Sequence, residues 1–325
     1  MSGAAAGRSS VGPASSESGV RTVFFGSGTF AVPILDALVT LSGVRVEAVV
    51  SAPDRPVGRR AVITATPVTA RAHQLELPVL QPVRVRRPEA VDSIAAFLPQ
   101  LIVLADYGQL IPPVLLSLAS RGFLNLHPSA LPRWRGAAPI PATILAGDAR
   151  TAVTLIVVTE EMDAGPIVAM EPLDVHPDDT AVALEKRAAE AAARLLRRAL
   201  PEWLAGRLQP RPQPDEGVTL TRPLRREDGL LDASRTASQL ERQVRAYQPW
   251  PGSYLETELG RLIVWLARVA ASEPGDEAGR LVSMGRDGLA LATADGRLIL
   301  DEVQLAGKTR VSAAELRRGY PRLAR

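Results

Sequence analysis

The chain carries three histidines, His73, His127 and His176, and no cysteine. Their surroundings separate them. His73 lies in a polar helical stretch and His176 in a Pro/Asp turn, settings that suit surface residues. His127 ends the run Phe123-Leu124-Asn125-Leu126-His127 and then meets Pro128 and Ser129. Residues two apart on an extended segment point the same way, so Asn125 and His127 can face one substrate atom. An amide donates to a developing oxyanion, and an imidazole moves protons near neutral pH. The plain alternative is a histidine that only caps a strand end.

A carboxylate partner is expected from the next loop, Thr159-Glu160-Glu161-Met162-Asp163-Ala164-Gly165-Pro166. Asp163 there can orient the imidazole or hold a water, with Glu160 and Glu161 as competing candidates. An aspartate before Gly-Pro also suits an ordinary turn. Arg55, Arg59 and Arg60 occupy a loop with prolines, and Arg133, Trp134 and Arg135 follow the His127 segment. Arginines beside such a site suit phosphates or carboxylates, and a tryptophan stacks on a base or pterin. A solvated basic loop is the bland reading. Gly26-Ser27-Gly28 has dinucleotide-loop spacing, but the ribose-binding acid should end the second strand, and Asp54 comes late, after Pro53. The absent cysteines exclude thiol nucleophiles and disulfide scaffolds, and three scattered histidines predict no protein metal site.

Something must hold these groups. Short apolar runs at residues 22–25, 44–50, 101–105, 122–126 and 153–158 read as buried strands. Helical periodicity separates most of them, and residues 181–200 form a long alanine-rich helix. The pattern predicts an α/β fold around a mostly parallel, Rossmann-like sheet. Residues 209–217 are Pro-rich and aperiodic. Beyond them, short strands between Gly, Asp and Glu turns predict a small OB-like β-barrel. The 325 residues, 46% of them hydrophobic, suffice for two cores. Our division is a flexible tail at 1–20, a first domain at 21–208, a linker at 209–220 and the barrel at 221–325. No run of 18 apolar residues appears and the first twenty residues lack a signal-peptide core, so a cytoplasmic chain is expected, without membrane contact. No extended apolar face stands out, which suggests a monomer. Net charge is only +3, and residues 215–325 hold 17 basic against 16 acidic side chains. Attraction to a polyanion must rest on where arginines sit.

The segment Asn125-Leu126-His127-Pro128-Ser129-Ala130-Leu131-Pro132-Arg133-Trp134-Arg135-Gly136-Ala137-Ala138-Pro139-Ile140 resembles the signature of the methionyl-tRNA formyltransferase family. Pro53-Asp54-Arg55-Pro56-Val57-Gly58-Arg59 is similar to that family's basic insertion, and Met162-Asp163-Ala164-Gly165-Pro166 to its catalytic-aspartate segment. Arg245-Ala246-Tyr247-Gln248-Pro249-Trp250-Pro251-Gly252 resembles the start of its C-terminal domain. The resemblance covers nearly the whole chain after Arg21. It implies formyl transfer from 10-formyltetrahydrofolate, without a metal, to the methionine amine of initiator Met-tRNA. Asn125, His127 and Asp163 would be the catalytic trio. Ser129, Ala130, Leu131 and Pro132 would contact the folate. Arg55, Arg59, Arg60, Arg133 and Arg135 would contact tRNA, together with the barrel. An amino sugar or other small amine is the alternative acceptor. The chain departs from the family at Asp106, usually Ala, and at Ala130, usually Leu. Ala61-Val62-Ile63 replace the lysines that usually follow the basic-loop arginine.

Overall fold

The computed structural model describes residues 19–57, 61–285 and 288–323. Arg59, Arg60 and all but the last two residues of the expected tail lie outside the described residues.

Seven strands form the first sheet. Their spatial order is Ile167–Asp174, Arg150–Val157, Phe123–His127, Leu101–Ala105, Val20–Gly26, Val44–Val50, Val79–Leu80. The last five run parallel, and Arg150–Val157 runs antiparallel to both its neighbours, so Ile167–Asp174 points the same way as the five. Neighbouring residues on one strand feed opposite layers. Phe24 packs with Val49, Val103 and Leu124 on one side, while Val23 and Phe25 pack with Val50, Ile102 and Phe123 on the other. Burial on both faces explains the unbroken apolar runs in the sequence. The long helix Ala181–Leu204 covers the first layer, burying Leu184, Ala188, Leu195 and Leu196. Its start is fixed by the Thr180 hydroxyl, which accepts from the N–H of Ala183 at 3.2 Å. The sequence pattern does not predict the strand Ile167–Asp174, because Glu171 and Pro172 interrupt it. It lies outermost in the sheet order, where a residue without an N–H is tolerated.

The second sheet is antiparallel throughout. Its order is Ser253–Thr257, Gly260–Ala270, Arg297–Leu305, Gly288–Ala292, Leu281–Met284, with Val311–Ser312 also pairing with Arg297–Leu305. Register shifts beside Leu266 bend the longest strand, and the result is a curled half-barrel. The helix Ala237–Ala246, opened by a Thr236/Gln239 capping box, adds Leu240 and Val244 to this core. The same helix is tied to the first sheet's side of the molecule. Arg242 donates to the Leu145 carbonyl at 3.0 Å, and Arg245 donates to the Asp179 carbonyl at 2.9 Å. No helix among the described residues is long and apolar enough to cross a membrane.

Candidate active site

From Val20–Gly26 the chain builds outward through Val44–Val50 to Val79–Leu80, then returns to the other flank with Leu101–Ala105. The switch point therefore lies between Val20–Gly26 and Leu101–Ala105, and open α/β sheets bind ligands in the crevice beyond the carboxyl ends at such a point. A Cβ on Gly28 would stand 1.8 Å from Oδ2 of Asp106, so a side chain there has no room. The Asp106 carboxylate sits against the glycine loop, where its negative charge opposes a pyrophosphate. Asp54 is turned aside, accepting from Gln81 at 2.6 Å. The glycines serve close packing of loop against loop, and the dinucleotide reading fails on charge.

One strand further along, Phe123–His127 brings Asn125 and His127 to the same rim, both almost fully buried. Asp163 arrives from the loop after Arg150–Val157. Its Oδ1 accepts from the Asn125 amide at 3.2 Å, and its Oδ2 accepts from the Gly136 N–H at 2.8 Å and lies 3.5 Å from Nδ1 of His127. The other ring nitrogen, Nε2, donates to the Trp134 carbonyl at 2.9 Å. Asn125, His127 and Asp163 thus meet at one point. Glu160 and Glu161 are exposed, and Glu161 lies 3.6 Å from the Arg135 guanidinium.

The loop between Asn125 and Gly136 is held from several directions. Ser129 is fully buried; its hydroxyl donates to the Arg133 carbonyl at 2.6 Å, and its carbonyl accepts from Thr154 at 2.6 Å. Leu131 is buried beside it, before a cis Pro132, while Ala130 and Pro132 are half-buried. Arg133 grips Asp148 through two bonds of 2.9 Å and stacks 4.1 Å from the centre of the Trp134 ring. The Trp134 indole also donates to Asp148, at 2.9 Å. Trp134 itself has φ of +61°, which points its carbonyl at His127. Arg135 is buried and donates to Gln213 at 3.0 Å. Of the five candidate tRNA arginines, Arg55 is exposed on the hairpin of Arg55–Val57 and Val62–Thr64, while Arg133 and Arg135 are committed to this loop.

Sequence reasoning missed the segment that straps the site. Gln213 donates to the carbonyls of Asp163 and Gly165 at 2.7 and 2.8 Å. Leu220–Thr221 pairs in parallel with Arg135–Gly136, and the Thr219 hydroxyl accepts from the Trp134 N–H at 2.8 Å. These residues lie in and beside the Pro-rich stretch, whose lack of periodicity gave no signal of such contacts. Gly136 has φ of +105°, and a Cβ there would meet the Thr221 carbonyl at 2.3 Å. Asp163 also has a positive φ, +52°, a conformation that aspartate tolerates better than most residues.

Asp106 follows Leu101–Ala105 at φ of +49° and fixes the glycine loop by accepting the Ser27 N–H on its carbonyl at 2.9 Å. The residue keeps an exposed surface, but the protein packed around its carboxyl strips away water, and the Glu185 carboxylate adds repulsion. Together, against a bond from the Gly28 backbone, they push its pKa from the ordinary 3.8 up to about 6. Glu185 itself accepts a short hydrogen bond from the Thr29 hydroxyl. Among the described residues, no three His, Asp or Glu side chains gather in a way that could hold a metal ion.

Comparison with known proteins places this geometry. The Formyl transferase family model matches residues 20–200, and the model for the Formyl transferase C-terminal domain matches residues 223–321. The same fold occurs in the N-formyltransferase from Helicobacter canadensis, solved with folinic acid and dTDP-3-aminofucose. That likeness has a TM-score of 0.63 at 14% identity over 87% of this chain and 98% of that one. HypX from Aquifex aeolicus, in complex with tetrahydrofolic acid, has a TM-score of 0.60 at 17% identity over 94% of this chain and 48% of its own. Fold and site define a formyltransferase. The methionyl-tRNA formyltransferase of Halorhodospira halophila is 43% identical over 299 residues, covering 92% of this chain and 96% of its own. That of Roseiflexus castenholzii is 41% identical over 300 residues, covering 92% and 96%. The chain belongs to the methionyl-tRNA formyltransferase family.

Proposed function

We propose that this enzyme transfers the formyl group of 10-formyltetrahydrofolate to the methionine amine of initiator Met-tRNA. The observation that carries the reading is the convergence of Asn125, His127 and Asp163 on one point, in a chain whose relatives across both halves bear that name. In this reading the active unit is a single chain in the cytoplasm, and one chain supplies the whole trio.

The donor supplies an activated N-formyl group. Asn125 spends one amide hydrogen on Asp163 and keeps the second for the formyl oxygen, where charge develops. His127 holds its Nε2 hydrogen on the Trp134 carbonyl, which leaves Nδ1 as the nitrogen that faces Asp163. The 3.5 Å separation there is too long for a good hydrogen bond and leaves Nδ1 available. The attacking amine forms the new C–N bond and gives its proton to Nδ1. When the bond from carbon to the folate nitrogen breaks, the same proton passes to that nitrogen. Asp163 faces the transient positive charge on the ring.

Ser129, Ala130, Leu131 and Pro132 follow the strand end directly and would wall the donor, with Ser129 supporting the wall from within. Asp106 offers an acceptor to the amino edge of a pterin. Arg55, Arg59 and Arg60 would steer the acceptor end, whereas Arg133 and Arg135 act by fixing the loop. The test supplies 10-formyltetrahydrofolate with charged initiator tRNA, charged elongator tRNA, free methionine or a nucleotide-linked amino sugar. Formylation of initiator Met-tRNA far above the rest supports the reading; preference for the amino sugar overturns it.

A further inference from the structure

Beyond the strand Val79–Leu80 the chain turns through Arg84-Val85-Arg86-Arg87 into the helix Pro88–Ala95. Val85 is buried, and the three arginines around it are exposed. None of the three guanidiniums makes a hydrogen bond or ion pair among the described residues, unlike Arg133 and Arg135. The backbone beneath them is fixed. Gln109 accepts from the Val85 N–H at 2.9 Å and donates to the Pro82 carbonyl at 3.2 Å. Gln81 donates to the Ala52 carbonyl at 3.0 Å and to Asp54, which ties this turn to the base of the Arg55 hairpin. Arg84 and Arg87 also line a depression of about 420 Å³ with Leu80, Pro82, Val83 and Ile94. Its one carboxylate is Glu89, and Arg86 lies outside it.

We infer that Arg84, Arg86 and Arg87 form a ledge for the phosphate backbone of the RNA substrate. The inference rests on the tRNA reading of the active site. Three facts favour nucleic acid over a small anion. The three charges fall within four successive residues, the turn that carries them is tied through Gln81 and Asp54 to the base of the hairpin that bears Arg55, and the depression between two of them is mostly apolar, as a ribose or base requires. The ledge follows the carboxyl end of Val79–Leu80, a strand four spacings from the one that ends at His127. At the usual spacing those two strands are about 19 Å apart, a separation that a small amine cannot bridge and a long polyanion anchored at the catalytic point can. No base-edge readout is built into it, so its contribution is affinity and register.

The test is equilibrium binding of charged initiator tRNA to the full chain across a salt series, comparing wild type with R84A/R86A/R87A and with R84K/R86K/R87K. The alanine variant should bind about tenfold more weakly at low salt, with a log–log salt slope shallower by about two to three. The lysine variant should keep most of the slope. A melting temperature equal to that of wild type shows that the alanine variant is folded; should it not be, Arg86→Ala alone should lower the slope by about one. Equal affinity and slope in wild type and a folded alanine or single variant overturns the ledge. Loss of binding by the ledge variant alongside a wild type that formylates no tRNA would instead overturn the activity and leave the ledge standing.

Discussion

Nδ1 of His127 stands 3.5 Å from Oδ2 of Asp163, while the opposite ring nitrogen donates to a backbone carbonyl at 2.9 Å. The carbonyl of Trp134, rather than the carboxylate, sets the orientation of the ring. Asp163 is free to bind Asn125 and the Gly136 N–H as well. It therefore couples the Asn125 amide, the His127 ring and the loop backbone.

Asp163→Asn places an amide group against either the Asn125 amide or the Gly136 N–H, donor facing donor. The formyl-transfer rate in single turnover should fall by about 10²–10⁴, with tRNA affinity changed by less than about threefold. A single-turnover rate near wild type would remove Asp163 from the mechanism.

His127→Gln removes the proposed base but places an amide N–H near the Nε2 position, keeping a donor for the Trp134 carbonyl, so the loop should persist and melting should change little. The chemical step should drop by about 10²-fold or more. Rapid-quench formylation at saturating donor reads this directly.

Asp106 should make stability depend on pH. Its pKa is raised from 3.8 to about 6, so between those values the folded state holds a proton that the unfolded chain has released. Stability attributable to this group therefore falls as pH rises through that window, and the penalty is complete above it. Asp106→Asn should melt higher than wild type at pH 7–8, and the gap should close near pH 4. Thermal unfolding across pH tests it; a gap independent of pH would contradict the assignment.

Gly136→Ala sets a methyl 2.3 Å from the Thr221 carbonyl at a φ of +105°. Destabilisation of about 2 kcal/mol or more is expected. Because the strap must shift to make room, activity should fall even where the protein remains folded. Denaturant unfolding together with kcat measures both.

Gln213→Ala leaves the carbonyls of Asp163 and Gly165 and the Arg135 guanidinium without their shared partner. As a positioning residue, Gln213 should affect kcat more than KM for either substrate, and Gln213→Glu should not rescue it, since a carboxylate cannot donate to the two carbonyls. Steady-state kinetics of both variants distinguish this from simple loss of stability.

The sheet was legible because strands buried on two faces are written as unbroken apolar runs, such as Leu101 to Ala105. Asn125 and His127 were legible because period-two spacing carries over directly to a shared strand face. Spacing alone left Asp163 beside Glu160 and Glu161, and the family resemblance singled it out; the turn at φ +52° is what brings its carboxylate back to Asn125. The strand Ile167–Asp174 was masked by a proline that an edge position tolerates. Gln213, Thr219 and Asp148 act through contacts distant in sequence, and no local periodicity encodes those. Arg135 reads as a surface charge in a basic motif, and only packing shows it buried against Gln213.

The strap has a mechanical consequence. Residues 213–221 lead directly into the C-terminal half and are bonded on the way to the peptide groups of Asp163, Trp134 and Arg135. Tension applied beyond residue 221 reaches the imidazole through two links, Thr219 to Trp134 and Trp134 to His127, without crossing the hydrophobic core. A fragment ending at residue 212 would retain every strand of the first sheet and lose the tether that aims the Trp134 carbonyl. The catalytic half is complete in its fold yet borrows its alignment from the chain that leaves it.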